Sequence, residues 1–422
     1  MLVAEKKESE KSSAIAAELS ALDMFSFVDG KSDNGRFTKW IKKLIQRIIL
    51  KPKSLSRFVS FLKWTLIALL LTSVACFIFN FIKPGIAKWL GLSAGVLLIL
   101  IISFGVFLLL RFKRIAKSGY GLNSGNTFHS WLKSILNRCH VQQDPARGPI
   151  NSLAAFGEHF MQVPELKVRP DYRRPDQHPP HMPMMTLITC DIISKIKIEF
   201  PRMWDLYWDK EENVHPADFV RASMSIPVFF ESFRVDGIRQ KSRFEIWSRQ
   251  VNWQNANKLI PDSSQFIDGG ILSNFPISIF YNPGYAVPRM PTFGVRLQDG
   301  IIDAANRSNN TLSKYLMSLF STIRFHFDRD FIIRNRAFNK AVCSIDVRGH
   351  SWLNFFMTDE EKQALFRKGA EAAISFLRRF DWEAYKTERA ANEEWATEQF
   401  ENPNNLEAFP FSSVQPGSSG PA

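Results

Sequence analysis

Asp268-Gly269-Gly270 follows directly on the strand-forming run Gln265-Phe266-Ile267. A carboxylate at a strand end, shielded from water, can take a proton from a hydroxyl, and glycines beside it let the backbone turn sharply. Taken alone, Asp-Gly after a strand is also the ordinary composition of a turn. A second pattern is Gly91-Leu92-Ser93-Ala94-Gly95, the G-x-S-x-G of a nucleophile elbow. That elbow needs a strand, a strained turn and a helix open to substrate. Ser93 instead lies inside an unbroken apolar run, so these small residues read as helix-packing positions, with Ser93 as nucleophile the alternative. His178-Pro179-Pro180-His181 has no third metal ligand nearby. His129, His140, His159, His215, His326 and His350 stand singly, so a Ser-His-Asp triad has no support. Cys76, Cys139, Cys190 and Cys343 are scattered without metal-ligand or C-x-x-C spacing, which fits a reducing compartment. No metal and no cofactor is expected.

The elements that must position Asp268 can be read from period and punctuation. Residues 184–190 form a short apolar run of strand formers, and 195–200 alternate as a partner strand. Residues 292–297 read as another strand, ending in Gln298-Asp299-Gly300. Helices are expected over 126–139, 216–223, 312–323 and 358–380, the last opened by a capping box of Thr358 and Glu361. Strands interleaved with helices predict an α/β layered body. A Glu-rich helix over 381–400 and an Asn, Pro, Ser and Gly tail over 403–422 complete the chain.

Two longer runs bear on the Asp268 motif. Upstream lies Phe219-Val220-Arg221-Ala222-Ser223-Met224-Ser225-Ile226-Pro227-Val228-Phe229-Phe230, and Ile271-Leu272-Ser273-Asn274-Phe275-Pro276 follows the glycines. Together they resemble the patatin-like phospholipase family, in which Ala-Ser-x-x-Ile-Pro-x-Phe-Phe precedes Asp-Gly-Gly-x-x-x-Asn-x-Pro. Further segments are similar in the same order: 121–128 with Trp131-Leu132, the strand 187–191, and the helix from Thr358 to Gly369. The resemblance spans 13–380. It implies a three-layer α/β/α sandwich around a mostly parallel sheet, and a serine lipid acyl hydrolase of phospholipase A type. Asp268 would be the base of a Ser/Asp dyad, supported by Gly269 and Gly270, with glycine-rich N–H donors for the oxyanion and no histidine. The family places its oxyanion and serine segment ahead of a stretch like 13–30, so the chain as supplied is expected to start late. The alternative is a membrane-anchored scaffold or binding protein that has lost its nucleophile.

The chain has 422 residues, 45% hydrophobic and 23% charged, enough for a real core and too apolar for wholesale disorder. Its formal charge is +13, yet residues 39–117 hold 14 basic residues and no acidic one. The basicity therefore belongs to one segment, and no nucleic-acid partner is expected. That segment carries two uncharged runs of 19 and 22 residues, 64–82 and 89–110. Each is long enough to cross a hydrocarbon layer of about 30 Å. Basic residues concentrate outside the pair rather than in its turn, which predicts a two-span hairpin with both flanks and the main domain cytoplasmic. Phe37, Trp40, Ile41, Leu44, Ile45, Ile48 and Ile49 recur at helical spacing opposite lysines, reading as an interfacial helix on anionic lipid. No signal peptide is visible over 1–31. The expected organisation is an N-terminal part of the patatin-like domain over 1–36, the membrane insertion over 37–117, the main domain over 118–380, and helix with tail over 381–422. The partners expected are membrane lipids. Trp204, Trp208, Trp247 and Trp253 read as packing residues, the alternative being a lipid-facing rim.

Overall fold

The computed structural model describes residues 8–21, 24–27, 119–143, 148–160, 185–241, 244–252, 260–273, 275–281, 290–298, 337–348 and 357–401, with isolated positions over 60–113 and 315–350. In chain order the elements are α1 (Glu8–Ala21), β1 (Gly121–Asn123), α2 (Asn126–Gln143), α3 (Leu153–Phe160), β2 (Leu187–Asp191), β3 (Ile196–Phe200), α4 (Pro216–Ser223), β4 (Val228–Phe230), β5 (Phe233–Asp236), α5 (Ile238–Lys241), α6 (Phe244–Val251), β6 (Ser263–Asp268), β7 (Gly294–Gln298), α7 (Phe338–Ala341), β8 (Val342–Asp346), α8 (Asp359–Arg379) and α9 (Trp382–Glu401). They belong to two compact units, one of residues 1–269 with 352–357, the other of 270–351 with 358–422.

In the first unit β2 and β3 form the expected hairpin, and a four-stranded sheet runs in the order β3-β2-β6-β5. Every pairing in that sheet is antiparallel. The mostly parallel sheet expected above is therefore met, among the described residues, only in two-stranded pieces, β1 with β4 and β7 with β8. The reason for the hairpin is local: four residues between β2 and β3 allow a return but not a crossover.

Helix α4 lies on β2 and β6, and α2 packs on α4. The core between them is aromatic. Phe200 stacks on Phe219 with centroids 4.5 Å apart, and Tyr207 meets Phe266 edge-on at 4.7 Å. Trp247 is wholly buried and donates its indole N–H to the Leu206 carbonyl at 3.1 Å. Full burial of each such ring stabilises the fold by about 1.5–3 kcal/mol. Trp208 is buried and Trp204 packs against the same cluster, so these three are core residues and not a lipid-facing rim. Trp253 lies outside the described residues. The first residues join this body through Phe27, buried against Phe128 and Trp131 of α2 at 4.9 and 5.6 Å.

The second unit pairs β7 with β8 in parallel and packs α8 against β8. Its core gathers Phe275, Ile277, Phe338 and Tyr385, and the Arg389 guanidinium lies 4.3 Å over the Tyr281 ring. Thr358 caps α8 and Glu361 closes the box, as the residues predict.

Among the described residues no helix is long and apolar enough to cross a membrane. The runs 64–82 and 89–110 are described only at isolated positions, and the amphipathic stretch 37–49 and tail 402–422 lie outside the described residues.

Candidate active site

Strand β6 ends at Asp268, which is half-buried and stands opposite Thr189 of β2. Its backbone N–H donates to the carbonyl of Ser225 at 2.9 Å. The Thr189 hydroxyl donates to the neighbouring Ile267 carbonyl at 2.8 Å, which fixes β6 to β2 immediately before the carboxylate. Gly269 follows, buried, opening a short 3-10 turn over Gly269–Ile271. The sequence reading gave Gly269 a conformational role, and the structure gives it a spatial one. Its φ lies outside the left-handed region, and an added Cβ would stand 2.2 Å from the Ile188 carbonyl oxygen. The two strands approach so closely there that no side chain fits. Gly270 is the next residue of the turn and half-buried.

The upstream motif holds this strand end in place. Helix α4 begins with Pro216 at its first position, where no N–H is needed, and is capped by His215 and Asp218. His215 Nδ1 accepts from the Ala217 N–H at 3.0 Å, and Asp218 accepts from the His215 N–H at 3.3 Å. At its far end Ser223 donates to the same Ile188 carbonyl that Gly269 faces, at 2.7 Å. Ser225, fully buried, donates to the Arg221 carbonyl at 2.8 Å while its own carbonyl holds Asp268. The Arg221 guanidinium, 4% exposed, donates to Ser225 Oγ at 2.6 Å, to the Ser124 carbonyl at 2.6 Å and to the Glu231 carbonyl at 2.8 Å. Gly125, at φ 71, leaves room for it: a Cβ there would meet Arg221 Nε at 2.8 Å. One cation thus ties the end of β1, the turn after α4 and the end of β4 around the segment that contacts Asp268.

Sequence reading missed a charged cluster on the other end of α4. His129 Nε2 and Asp218 Oδ1 lie 2.7 Å apart, with Lys133 Nζ at 3.6 Å from the same oxygen. A separation of 89 positions between His129 and Asp218 left no local signal. Burial pushes the Asp218 carboxyl up, but the His129 bond and the Lys133 charge outweigh it and leave it below the usual range. Burial, then Lys133, pushes His215 down to about 4, so it stays neutral and keeps its lone pair for the cap. A second carboxylate, Asp191, is fully buried at the opposite end of β2. It accepts from Tyr207 at 2.9 Å, Ser264 at 2.8 Å and the backbone N–H groups of Ile193 and Ser194 at 3.0 and 3.3 Å. Its acceptors are committed to the fold. Burial, and then Asp191, raises the Cys190 thiol to about 11, which keeps it protonated and unreactive. Among the described residues no group of three His, Cys, Asp or Glu could hold a metal. Ser93, His178 and His181 lie outside the described residues.

The structure therefore joins the two runs that carried the resemblance, through Ser225 and Asp268. Residues 91–281 match the family model of patatin-like phospholipase. The matched stretch covers a little under half of the chain, includes β6 and the whole α4 motif, and supports lipid hydrolysis as the activity in general terms. It opens at Gly91, the first residue of the G-x-S-x-G run, and does not extend to 13–30 or 358–380. The mixed α/β body with its parallel pieces is consistent with that family's fold. No curated protein and no solved structure matches the chain at a significant level.

Proposed function

We propose that this protein is a membrane-associated lipid acyl hydrolase that cleaves carboxylic esters of phospholipids or related lipids, with Asp268 as the base of a Ser/Asp dyad. The observation that carries the reading is the 2.9 Å bond from the Asp268 N–H to the Ser225 carbonyl. It locks the strand-end carboxylate to the Ala-Ser-x-x-Ile-Pro run, and both lie within the matched stretch. In this mechanism Asp268 takes the serine proton as the serine oxygen adds to the ester carbonyl. The tetrahedral adduct then expels the lipid alcohol, which takes that proton. Water, deprotonated by the same carboxylate, releases the fatty acid from the acyl-enzyme.

The apolar runs over 64–110 and their basic flanks support two spans with the main domain on the cytoplasmic side, within reach of a two-dimensional substrate. Anionic lipids suit the basic segment. Asp268→Asn tests the assignment. Turnover on phospholipid vesicles should fall about 10²–10⁴-fold with no loss of fold, whereas parental turnover would remove Asp268 from the chemistry.

A further inference from the structure

Tyr120, at φ 60, and Val228, at φ 68, both hold the left-handed backbone region that side chains rarely adopt. The two are neighbours. β1 and β4 run parallel with Gly121 opposite Val228, so Tyr120 stands beside Val228 where both strands begin. Both side chains are large and open to solvent, Tyr120 at 56% and Val228 at 61% exposure. A β-branched residue suits the left-handed region least, and an apolar side chain left in water contributes nothing to folding. Stability therefore explains neither. The surroundings hold the strain in place: Phe229 and Phe230 are buried, Asn123 Nδ2 donates to the Phe229 carbonyl at 2.9 Å, and the Phe230 N–H returns to Ile226 at 2.8 Å. Strain held in this way gathers at segments that contact ligands.

The position of the pair points to the ligand. Val228 is three residues from Ser225, whose carbonyl holds Asp268, so their Cα atoms lie within about 11 Å. Tyr120 is three residues after Lys117, the last of the cluster Arg111, Lys113, Arg114 and Lys117 that follows the apolar run 89–110. Along the chain the pair thus adjoins, on one side, the run that contacts Asp268 and, on the other, a segment with the composition of a membrane–water boundary. We infer that Tyr120 and Val228 form the lip through which the site touches a bilayer bearing anionic head groups, their side chains entering the acyl region and admitting an ester lipid towards Asp268. The inference rests on the hydrolase reading above and adds its point of contact with the substrate surface.

The test uses the full chain in mixed phosphatidylcholine and phosphatidylglycerol vesicles containing a phospholipid with a diazirine on its acyl chain. On irradiation, label is expected on peptides carrying Tyr120 and Val228. Label confined to other peptides would overturn the lip. In parallel, the double variant Tyr120→Asn and Val228→Asn keeps residues that tolerate the left-handed region. Its ratio of turnover on vesicles to turnover on a soluble short-chain ester should fall about tenfold, the loss of roughly one buried apolar side chain. A ratio equal to the parent's would also overturn the lip. Labelling at both residues in a protein that hydrolyses neither substrate would uphold the lip and refute the hydrolase reading instead.

Discussion

Replacing Gly269 by alanine places a methyl group 2.2 Å from the Ile188 carbonyl oxygen and 2.4 Å from its carbon, where ordinary contact begins at 3.4 Å. Both opposing atoms are backbone, so no side chain can swing away, and β2 and β6 must part by roughly an ångström. That displacement disturbs the Thr189–Asp268 pairing and the Ser223 bond to Ile188. Overpacking of this kind costs about 1–3 kcal/mol, and a weakened hydrogen bond adds about 1 kcal/mol. For a unit of this size the sum of about 2–4 kcal/mol lowers the melting temperature by roughly 5–15 °C. Thermal unfolding followed by near-UV circular dichroism reads it. Gly157→Ala serves as the control, because that helical glycine has open space around it and alanine should be neutral or slightly stabilising. A Gly269→Ala melting temperature within about 2 °C of the parent's would show that the strands are not packed as described.

Arg221→Met removes the guanidinium while keeping much of its length, and leaves the Ser124 and Glu231 carbonyls without that donor. Urea unfolding should register a loss of about 3–5 kcal/mol, and a loss under about 1 kcal/mol would refute the clasp. His215 is neutral in the folded chain down to about pH 4 but takes a proton near pH 6.5 when unfolded. Stability is therefore full above about pH 6.5 and declines as the pH falls towards 4, by roughly 2 kcal/mol after allowance for solvent screening. His215→Asn, a cap that does not titrate, should flatten that part of the curve, and an unchanged slope would assign it elsewhere. Val228→Gly relieves a left-handed β-branched residue worth about 1–2 kcal/mol, partly offset by the flexibility of glycine. A rise of a few degrees in melting temperature is expected, and a fall would show that Val228 is unstrained.

Local pattern made much of this legible. The alternation over 195–200, the Pro216 start, and the Thr358 and Glu361 cap each act within a few residues, and the elements formed where those signals stood. Asp268 was likewise readable as a strand-end carboxylate. Its neighbours were not, because the Ser225 carbonyl and the Ile188 carbonyl are backbone atoms, brought in by pairing over 43 and 80 residues, that no side-chain motif announces. The role of Arg221 was equally silent in the sequence: it is buried because three oxygens from separate elements converge on it. The tryptophans among polar neighbours read as packing residues with a rim as the alternative, and the ring contacts of Trp208 with Phe200 and of Trp247 with Tyr207 decide for core. Parallel pairing in the main sheet was an expectation carried by resemblance, and the short β2–β3 turn overrides it locally.

The central claim is that a serine in this chain is activated by Asp268, and fluorophosphonate labelling with peptide mapping tests it most directly. The parent protein, solubilised from membrane, should be labelled on one serine, and Asp268→Asn should label at least about a hundredfold more slowly while keeping the parent's melting temperature. Equal labelling of the two proteins, or no label on folded parent protein, would contradict the account.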